Sequence, residues 1–224
     1  MSTMLSNLDL LRRVPLFSLL TVTQAEVISG AVTKQRYKRG EVLVEQGQKS
    51  NALAILLTGR ARVVSADSRG REVILATLGP GDYIGEMSII DNEPHSATVR
   101  AEVQTDVLVL GRPEFARCLP ENSSLSYAIL RGLVQRLRAA DRQIESLALL
   151  DVYGRVARAL LDMADEDAGE KVIRGKVSRQ DLAKHVGASR EMVSRVMKDL
   201  EERGLIETQE TGSVVLKERL ANTA

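Results

Sequence analysis

The sequence predicts an α+β protein with an N-terminal antiparallel β domain, one long helix and a C-terminal helix-turn-helix with a wing. Three observations carry this prediction: glycine turns every 7 to 12 residues between short apolar runs, a long heptad pattern, and two short capped helices separated by a glycine. We expect the β domain with its N-terminal helices over residues 1–121, the long helix over 122–150 and the C-terminal domain over 151–224.

The composition is that of an ordinary globular protein, and it excludes several kinds of site. The 224 residues are 27% charged and 44% hydrophobic with a net charge of +1, so any nucleic-acid surface must be a local patch. One cysteine, Cys118, excludes an internal disulfide and an iron–sulfur cluster held by one chain. The longest apolar run has six residues, far below the ~20 that span a bilayer, so we expect a cytoplasmic protein without membrane contact.

Short β-strands are predicted from Arg36 to about Leu110, after short helices over residues 7–33. Glycine turns separate the apolar runs 42–44, 53–57, 62–64 and 73–75. Two further strands, 97–100 and 107–110, follow a proline-containing loop at 91–94. Regular turns between short apolar runs indicate an antiparallel sandwich or barrel.

Residues 125–150 predict one long helix, because they contain no proline and Gly132 is their only glycine. Apolar residues spaced 3, 4, 3, 4, 3 form a seam along it: Leu130, Leu133, Leu137, Ala140, Ile144 and Leu147. An amphipathic helix packed on its own domain is one interpretation. The 3.5-residue repeat favours a symmetric partner helix, and therefore a dimerisation helix in a homodimer.

The C-terminal domain is predicted to begin with a helix from about Val152 to Ala164, which ends in an acidic loop at 165–170. Ser178 and Ser189 are placed as caps of two helices, 179–186 and 190–203, which Gly187 and Gly204 end. A pair of short helices with a glycine turn predicts a helix-turn-helix. Residues 205–207 and 214–216 flank a small hairpin or wing.

The second helix of this pair has the residues of a base-reading helix. Val193, Val196, Met197 and Leu200 predict its buried side. The opposite side presents Ser189, Arg190, Glu191, Ser194 and Arg195. Arginine donates two hydrogen bonds to guanine and glutamate accepts one from cytosine, and residues 174–203 carry a local net charge of +3. A winged helix that contacts proteins is the alternative interpretation.

Five segments carry a family resemblance: residues 85–88 (Gly-Glu-Met-Ser), 96–101, 150–157, 178–183 and 187–195. In this order, and over almost the whole chain, they resemble the Crp/Fnr transcription regulators. The first two resemble the family's phosphate-binding cassette, the third its hinge and the last two its helix-turn-helix. The resemblance implies a cyclic-nucleotide-binding-type β-roll (jelly roll), a long dimerisation helix and a C-terminal winged helix-turn-helix, in a homodimer that activates or represses promoters.

The resemblance also implies the DNA contacts, which are Arg179, Gln180, Ser189, Arg190, Glu191, Ser194 and Arg195. The family's cyclic-AMP receptors use an Arg-Glu pair and a later arginine, whereas its Fnr branch uses Glu-x-x-Ser-Arg, and this sequence holds both sets. We therefore expect a two-fold symmetric site in double-stranded DNA with TGTGA-like half-sites. TTGAT-like half-sites are the alternative, and RNA polymerase is a further expected partner.

The implied effector-binding residues are Gly85, Glu86, Met87, His95, Ser96, Ala97, Arg136, Ala140 and Asp141. In the cyclic-AMP receptors an arginine stands at the position of His95 and pairs with the cyclic phosphate. A histidine, with an ordinary pKa of about 6.5, is mostly neutral at neutral pH and lacks the guanidinium fork. An ordinary surface-loop histidine is the alternative. Ala140 and Asp141 replace a polar pair that contacts adenine, and Asp141 can pair with a guanine edge.

No obligatory cofactor, metal site or catalytic residue is predicted, and the expected effector is a cyclic nucleotide or cyclic dinucleotide. A cyclic-di-GMP-responsive regulator, another small-metabolite effector and a ligand-independent regulator are the alternatives to a cyclic-AMP-responsive one. A haem-binding regulator is not expected, because the two candidate ligands, His95 and Cys118, offer no evident axial pair for the iron. A cupin-type enzyme needs more histidines than the two present, and a scaffold without DNA binding needs no basic face on its second short helix.

Overall fold

The computed structural model describes residues 14, 17, 21–121, 123–167, 170–209 and 211–223. The chain divides into two compact units after Arg136. Over the described residues, no helix combines the length and the apolar content that crossing a membrane requires.

The described part of the first unit is built around antiparallel strands. These are β1 (Val32–Tyr37), β2 (Val42–Val44), β3 (Ala52–Thr58), β4 (Ala61–Ala66), β5 (Glu72–Leu78), β6 (Tyr83–Ile84), β7 (Thr98–Ala101) and β8 (Thr105–Gly111). Three helices accompany them, α1 (Val22–Ala31), α2 (Glu86–Asp91) and α3 (Arg112–Glu121). The strands form two four-stranded sheets in the orders β1-β8-β3-β6 and β2-β7-β4-β5.

The side chains of β3 alternate between two cores. Leu53 and Ile55 pack in a core that also contains Phe115 of α3. Leu56 packs in a second core, between the sheets, with Val99 of β7. One face of the first sheet is therefore covered by helices and the other by the second sheet, which confirms the predicted antiparallel sandwich.

The start of this unit differs from its predicted form. Helix α1 ends at Ala31, and the next residues, predicted as helical up to position 33, belong to β1. Most of β1 is exposed and polar, and Val32 is its one fully buried residue, so the strand has none of the alternation that predicts strands. The prediction of helices over residues 7–20 lies outside the described residues, apart from Val14 and Phe17, which are buried.

The long helix is confirmed as α4 (Ser123–Leu149), and the division between the units falls within it. After it come α5 (Val152–Met163), α6 (Arg179–Val186), α7 (Arg190–Glu202) and a 3₁₀ helix (Glu218–Thr223). Four short strands form one antiparallel sheet in the order β11-β12-β10-β9: β9 (Asp165–Asp167), β10 (Glu170–Ile173), β11 (Ile206–Thr208) and β12 (Val214–Leu216).

The prediction of an acidic loop over residues 165–170 is wrong for most of this segment. Asp165–Asp167 pairs with the start of β10 as an edge strand, so the wing is part of a four-stranded sheet. Three exposed acidic residues give no apolar pattern, and backbone pairing with β10 makes this segment a strand. Residues 168–169 lie outside the described part of the chain.

Candidate effector site and DNA-reading surface

Helix α2 begins where the backbone admits only glycine. Gly85 has a φ of +90° in the left-handed region, and a Cβ at this position would lie 2.5 Å from the carbonyl oxygen of Ala52. This close approach to β3 places Glu86, the first residue of α2, with only 2% of its surface exposed. A carboxylate so deeply buried requires a partner.

Arg136 is that partner. Its guanidinium donates to Glu86 Oε1 and to the carbonyl oxygen of Tyr83, and it lies over the Tyr83 ring at 4.8 Å from the centroid. Burial raises the pKa of Glu86, and the charge of Arg136 opposes that rise. The pair places a buried carboxylate, which accepts hydrogen bonds, next to the half-exposed cation of Arg136 in the β domain.

Tyr83 also contacts α4 through its hydroxyl group. The hydroxyl donates to the carbonyl oxygen of Ile129 at 3.3 Å and lies against Gly132. Sequence reasoning missed Tyr83, because it lies in a strand of two residues and its partners are distant along the chain. A tyrosine between two glycine turns carries no periodic signal.

His95 is held inside the loop that precedes β7. Its Nε2 lies 2.8 Å from Ser50 Oγ, its backbone N–H donates to the Gln48 carbonyl at 2.9 Å, and its own carbonyl accepts from Gly47 N–H at 2.9 Å. The residue is 9% exposed, so the alternative interpretation as a surface-loop histidine is wrong. Burial lowers the pKa of His95, which leaves the ring neutral at neutral pH.

The other predicted effector residues are placed in different surroundings. Ser96 and Met87 are exposed, and Ala97, just before β7, is buried. Ala140 and Asp141 are exposed on α4 beyond the division, in the second unit. The structure thus joins Glu86 to Arg136, and it secures His95 through a separate set of bonds.

The helix-turn-helix has the caps that the sequence predicts. Ser178 Oγ accepts from the Asp181 N–H and Ser189 Oγ from the Met192 N–H, each at 3.2 Å. Gly187 ends α6 with a φ of 64° in the left-handed region. These caps fix where α7 begins, and its first turns therefore present defined side chains.

The two sides of α7 differ as the spacing predicts. Val193, Met197 and Leu200 are fully buried in the core of the second unit, and Val196 packs against that core. The predicted base-reading residues of the helix are exposed: Arg190, Glu191, Ser194 and Arg195. The backbone N–H of Glu191 and the Ser189 hydroxyl lower the pKa of the Glu191 carboxyl, so it is ionised and can accept a hydrogen bond.

The two predicted contact residues on α6 lie in different surroundings. Gln180 is exposed, whereas Arg179 is half-buried and its Nη2 lies 3.7 Å from Glu201 Oε1. The same carboxylate oxygen accepts from the Thr208 hydroxyl at 2.5 Å. Arg179 is thus linked through Glu201 to the wing strand β11.

Arg155 joins the end of α4 to the helix-turn-helix. Its Nε donates to the carbonyl oxygen of Val186, the last residue of α6, and its Nη1 donates to that of Leu150, each at 3.0 Å. Asp151 caps α5 by accepting from the Gly154 N–H at 2.8 Å. All of these residues belong to the second unit.

The exposed apolar residues of α4 form a stripe that differs in part from the predicted seam. Leu133 packs against the core of its own β domain. The exposed residues are Tyr127, Leu130, Val134, Leu137, Ile144, Leu147 and Leu149. Tyr127, Leu130, Val134, Leu137 and Ile144 follow the spacing of a heptad seam, in which Val134 is exposed and Leu133 is not.

Comparisons with known proteins agree with this organisation. Residues 34–122 match the model of the cyclic nucleotide-binding domain, and residues 154–221 match the Crp-like helix-turn-helix domain. A cAMP-activated global transcriptional regulator of Pseudomonas aeruginosa is 34% identical over 193 residues, which cover 83% of this chain and 90% of that protein. The chain belongs to the Crp/Fnr family of transcription regulators.

Two further relatives of this Crp/Fnr regulator cover nearly its whole length. A CRP-like cAMP-activated global regulator of Mycobacterium tuberculosis is 30% identical over 205 residues, 87% of this chain and 91% of the relative. The structure of the c-di-GMP-responsive global regulator CLP of Xanthomonas campestris matches with a TM-score of 0.73 at 28% identity, covering 88% of this chain and 99% of that one. The predicted fold class and a DNA-binding regulator with an effector domain are thereby confirmed.

Proposed function

We propose that this Crp/Fnr regulator is a homodimer that reads a two-fold symmetric DNA site with TGTGA-like half-sites and responds to a nucleotide-type effector in its β-roll. The observation that carries the DNA part is the exposed side of α7. Arg190, Glu191, Ser194 and Arg195 occupy its first two turns, opposite a fully buried apolar side. A helix held this way presents its N-terminal residues to base edges in the major groove.

The assignment of contacts follows from the chemistry of each side chain. Arg190 and Arg195 are the donors to guanine, and the ionised Glu191 is the acceptor for a cytosine amino group. Ser189 orients Glu191 through its hydroxyl, and the exposed Gln180 contacts the DNA backbone. TTGAT-like half-sites, read by Glu191, Ser194 and Arg195, are the second candidate.

The apolar stripe of α4 supports the homodimer. Leu130, Leu137 and Ile144 are each at least 60% exposed and follow one another at heptad spacing, so a second copy of this helix covers them best. A two-fold dimer presents two copies of α7, and a symmetric DNA site matches that arrangement. RNA polymerase is the further partner we propose, and the cytoplasm, where promoters lie, is the proposed compartment.

The Glu86–Arg136 pair supports a polar effector in the β-roll. The buried carboxylate suits a sugar hydroxyl, which donates a hydrogen bond, and Arg136 suits an anionic group. The named relatives differ in their effectors, cyclic AMP in Pseudomonas aeruginosa and cyclic di-GMP in Xanthomonas campestris. His95 in place of a phosphate-binding arginine and the acidic Asp141 favour weak cyclic-AMP binding. A cyclic-di-GMP-responsive or ligand-independent regulator is therefore the second candidate.

Selection of binding sites from random DNA, followed by gel shifts, tests the DNA part. Arg190→Ala is expected to cost about 1–3 kcal/mol on the selected site and to relax the preference at one guanine. The matched control is Lys198→Ala on the same helix, where the side chain is 76% exposed and paired with Glu202, and selectivity should not change. Equal losses on selected and scrambled DNA with Arg190→Ala would contradict base reading.

A further inference from the structure

We propose that Arg112 is a positioning residue of the candidate effector site, which fixes the end of α2 and with it the loop that carries His95 and Ser96. The inference rests on the proposed function, since it assigns Arg112 a part in binding a nucleotide-type effector there. Arg112 is the first residue of α3, so it lies outside the motif segments that the sequence singles out.

The first argument is the C-terminal end of α2. A helix of six residues leaves its last carbonyl groups without helical partners. Arg112 supplies donors to the Ile89 carbonyl, from Nη2 at 2.7 Å and from Nε at 3.2 Å. Its Nη2 also donates at 3.1 Å to the Ser88 carbonyl, which already accepts from the N–H of Asn92. One planar cation therefore holds the end of the helix that begins with Glu86.

The second argument is the residue that follows the helix. Asn92 has a φ of 63°, in the left-handed region that residues other than glycine rarely adopt. Arg112 Nη1 donates to Asn92 Oδ1 at 2.7 Å, and the Asn92 N–H donates to the Ser88 carbonyl at 3.1 Å. The Ser88 hydroxyl then donates to the Glu93 carbonyl at 2.7 Å. The chain is thus fixed up to two residues before His95.

The third argument is the segment on the other side of His95. The Arg112 backbone N–H donates to the Asn51 carbonyl at 2.7 Å. The residues just before Asn51 hold the histidine, since Ser50 Oγ lies 2.8 Å from His95 Nε2 and the Gln48 carbonyl accepts from its backbone N–H. Arg112 therefore bonds to both segments that frame His95, through its side chain on one side and its backbone on the other.

The geometry of the guanidinium is what this position requires. Its side-chain hydrogen bonds end on three acceptor groups, at residues 88, 89 and 92, and all three of its nitrogen atoms take part. The ammonium group of a lysine is a point charge and does not reach the same set. A role through positive charge alone would survive Arg112→Lys, whereas a role through geometry would not.

Hydrogen exchange on the full-length protein tests the positioning itself. In Arg112→Met, which removes every side-chain donor, the amides of residues 89–96 should exchange at least about tenfold faster, while those of β3 and β8 keep their rates. Arg112→Lys should behave like Arg112→Met. The matched control is Arg71→Met, because that guanidinium pairs with Asp67 in the β4–β5 turn, and it should leave residues 89–96 unchanged.

Calorimetric titration with cyclic AMP and with cyclic di-GMP tests the consequence for binding. Both Arg112 variants should bind the wild type's nucleotide with unchanged stoichiometry but with about tenfold lower affinity than the wild type, because the loop is no longer held in place. Unchanged affinity or unchanged exchange would overturn the proposal, and so would wild-type behaviour in Arg112→Lys or faster exchange throughout the β domain. If neither nucleotide binds the wild type, the proposed effector class fails, and the exchange of residues 89–96 alone decides the role of Arg112.

Discussion

The hydroxyl of Tyr83 occupies the space that any side chain at position 132 would need. A Cβ on Gly132 would overlap the Tyr83 hydroxyl oxygen and lie 3.0 Å from the ring carbon that carries it. The strand β6 and the helix α4 therefore approach each other at a distance that only glycine permits. Arg136, one turn further along α4, lies over the same ring.

Gly132→Ala should consequently destabilise the protein. In an exposed helix this change stabilises by about 1 kcal/mol, but here the overlap with Tyr83 should reverse the sign and cost about 1–3 kcal/mol. Urea unfolding measures the difference. Adding Tyr83→Phe removes the overlapping oxygen, so the double variant should regain part of the loss. A more stable Gly132→Ala protein would show that the contact between Tyr83 and Gly132 is not as the structure has it.

Leu137→Glu should convert the protein to monomers. It places two facing charges in the apolar stripe of the proposed dimer, where burial without a partner is costly. Sedimentation velocity measures the oligomeric state, and binding to a symmetric DNA site should be lost together with the dimer. Leu133→Ala is the matched control, because Leu133 packs on the core of its own domain. This variant should unfold more easily and remain dimeric. A dimeric Leu137→Glu protein would contradict the assigned stripe.

Asp106 should make the stability of the β domain fall at acid pH. Hydrogen bonds from Arg36 and Lys34 lower the pKa of this buried carboxyl to about 2, against about 3.9 in an unfolded chain. Because the folded pKa is the lower one, the contribution is complete above about pH 4 and disappears as the pH falls towards 2. Asp106→Asn should therefore lower the unfolding midpoint at neutral pH and flatten its pH dependence in this window.

A matched control separates this effect from general acid denaturation. Asp162 is a surface carboxylate, 66% exposed, at 3.8 Å from Arg158. Asp162→Asn should leave the slope of stability against pH between about 4 and 2 as it is in the wild type. If Asp106→Asn kept the wild-type slope as well, the Arg36–Asp106 pair would not be the cause of the acid sensitivity.

His95→Arg should strengthen the binding of cyclic AMP. The substitution restores a guanidinium at the position where the family's cyclic-AMP receptors pair with the phosphate, whereas the neutral, buried His95 offers no charge. Loss of the 2.8 Å contact with Ser50 and the unchanged Asp141 should limit the gain to about tenfold. Calorimetry on both proteins measures it. Tight binding of cyclic AMP by the wild type would show that other groups hold the phosphate.

Local patterns in the sequence predict most of the fold. Glycine turns give the strands of the β domain, and the two serine caps with Gly187 give the helix-turn-helix within a residue of its observed bounds. β1 and β9 carry no such pattern, because both are polar edge strands whose pairing with β8 and β10 makes them strands. A polar sequence acquires this structure only from its neighbours.

The sequence predicts the exposed side of α7 well, but it does not predict the contacts of the candidate effector site. The reading side of α7 follows from helical spacing, since one helix places both its buried and its exposed residues. The partners of Glu86 do not follow from spacing, because Arg136 is 50 residues away and reaches it only when α4 lies on β6. Arg112 lies 20 or more residues from the acceptors of its side chain, and no motif connects them.

The two hydrogen bonds of Arg155 have a mechanical consequence. They tie the chain just after α4 and the end of α6 to one planar group, at 3.0 Å each, so the hinge segment cannot extend without breaking one of them. A displacement of Leu150, just after α4, is therefore expected to move the end of α6 as well, and with it the turn at Gly187 that leads to α7. Within the second unit, Arg155 thus couples the residues just after α4 to the turn before α7, the helix that carries the proposed base-reading side chains.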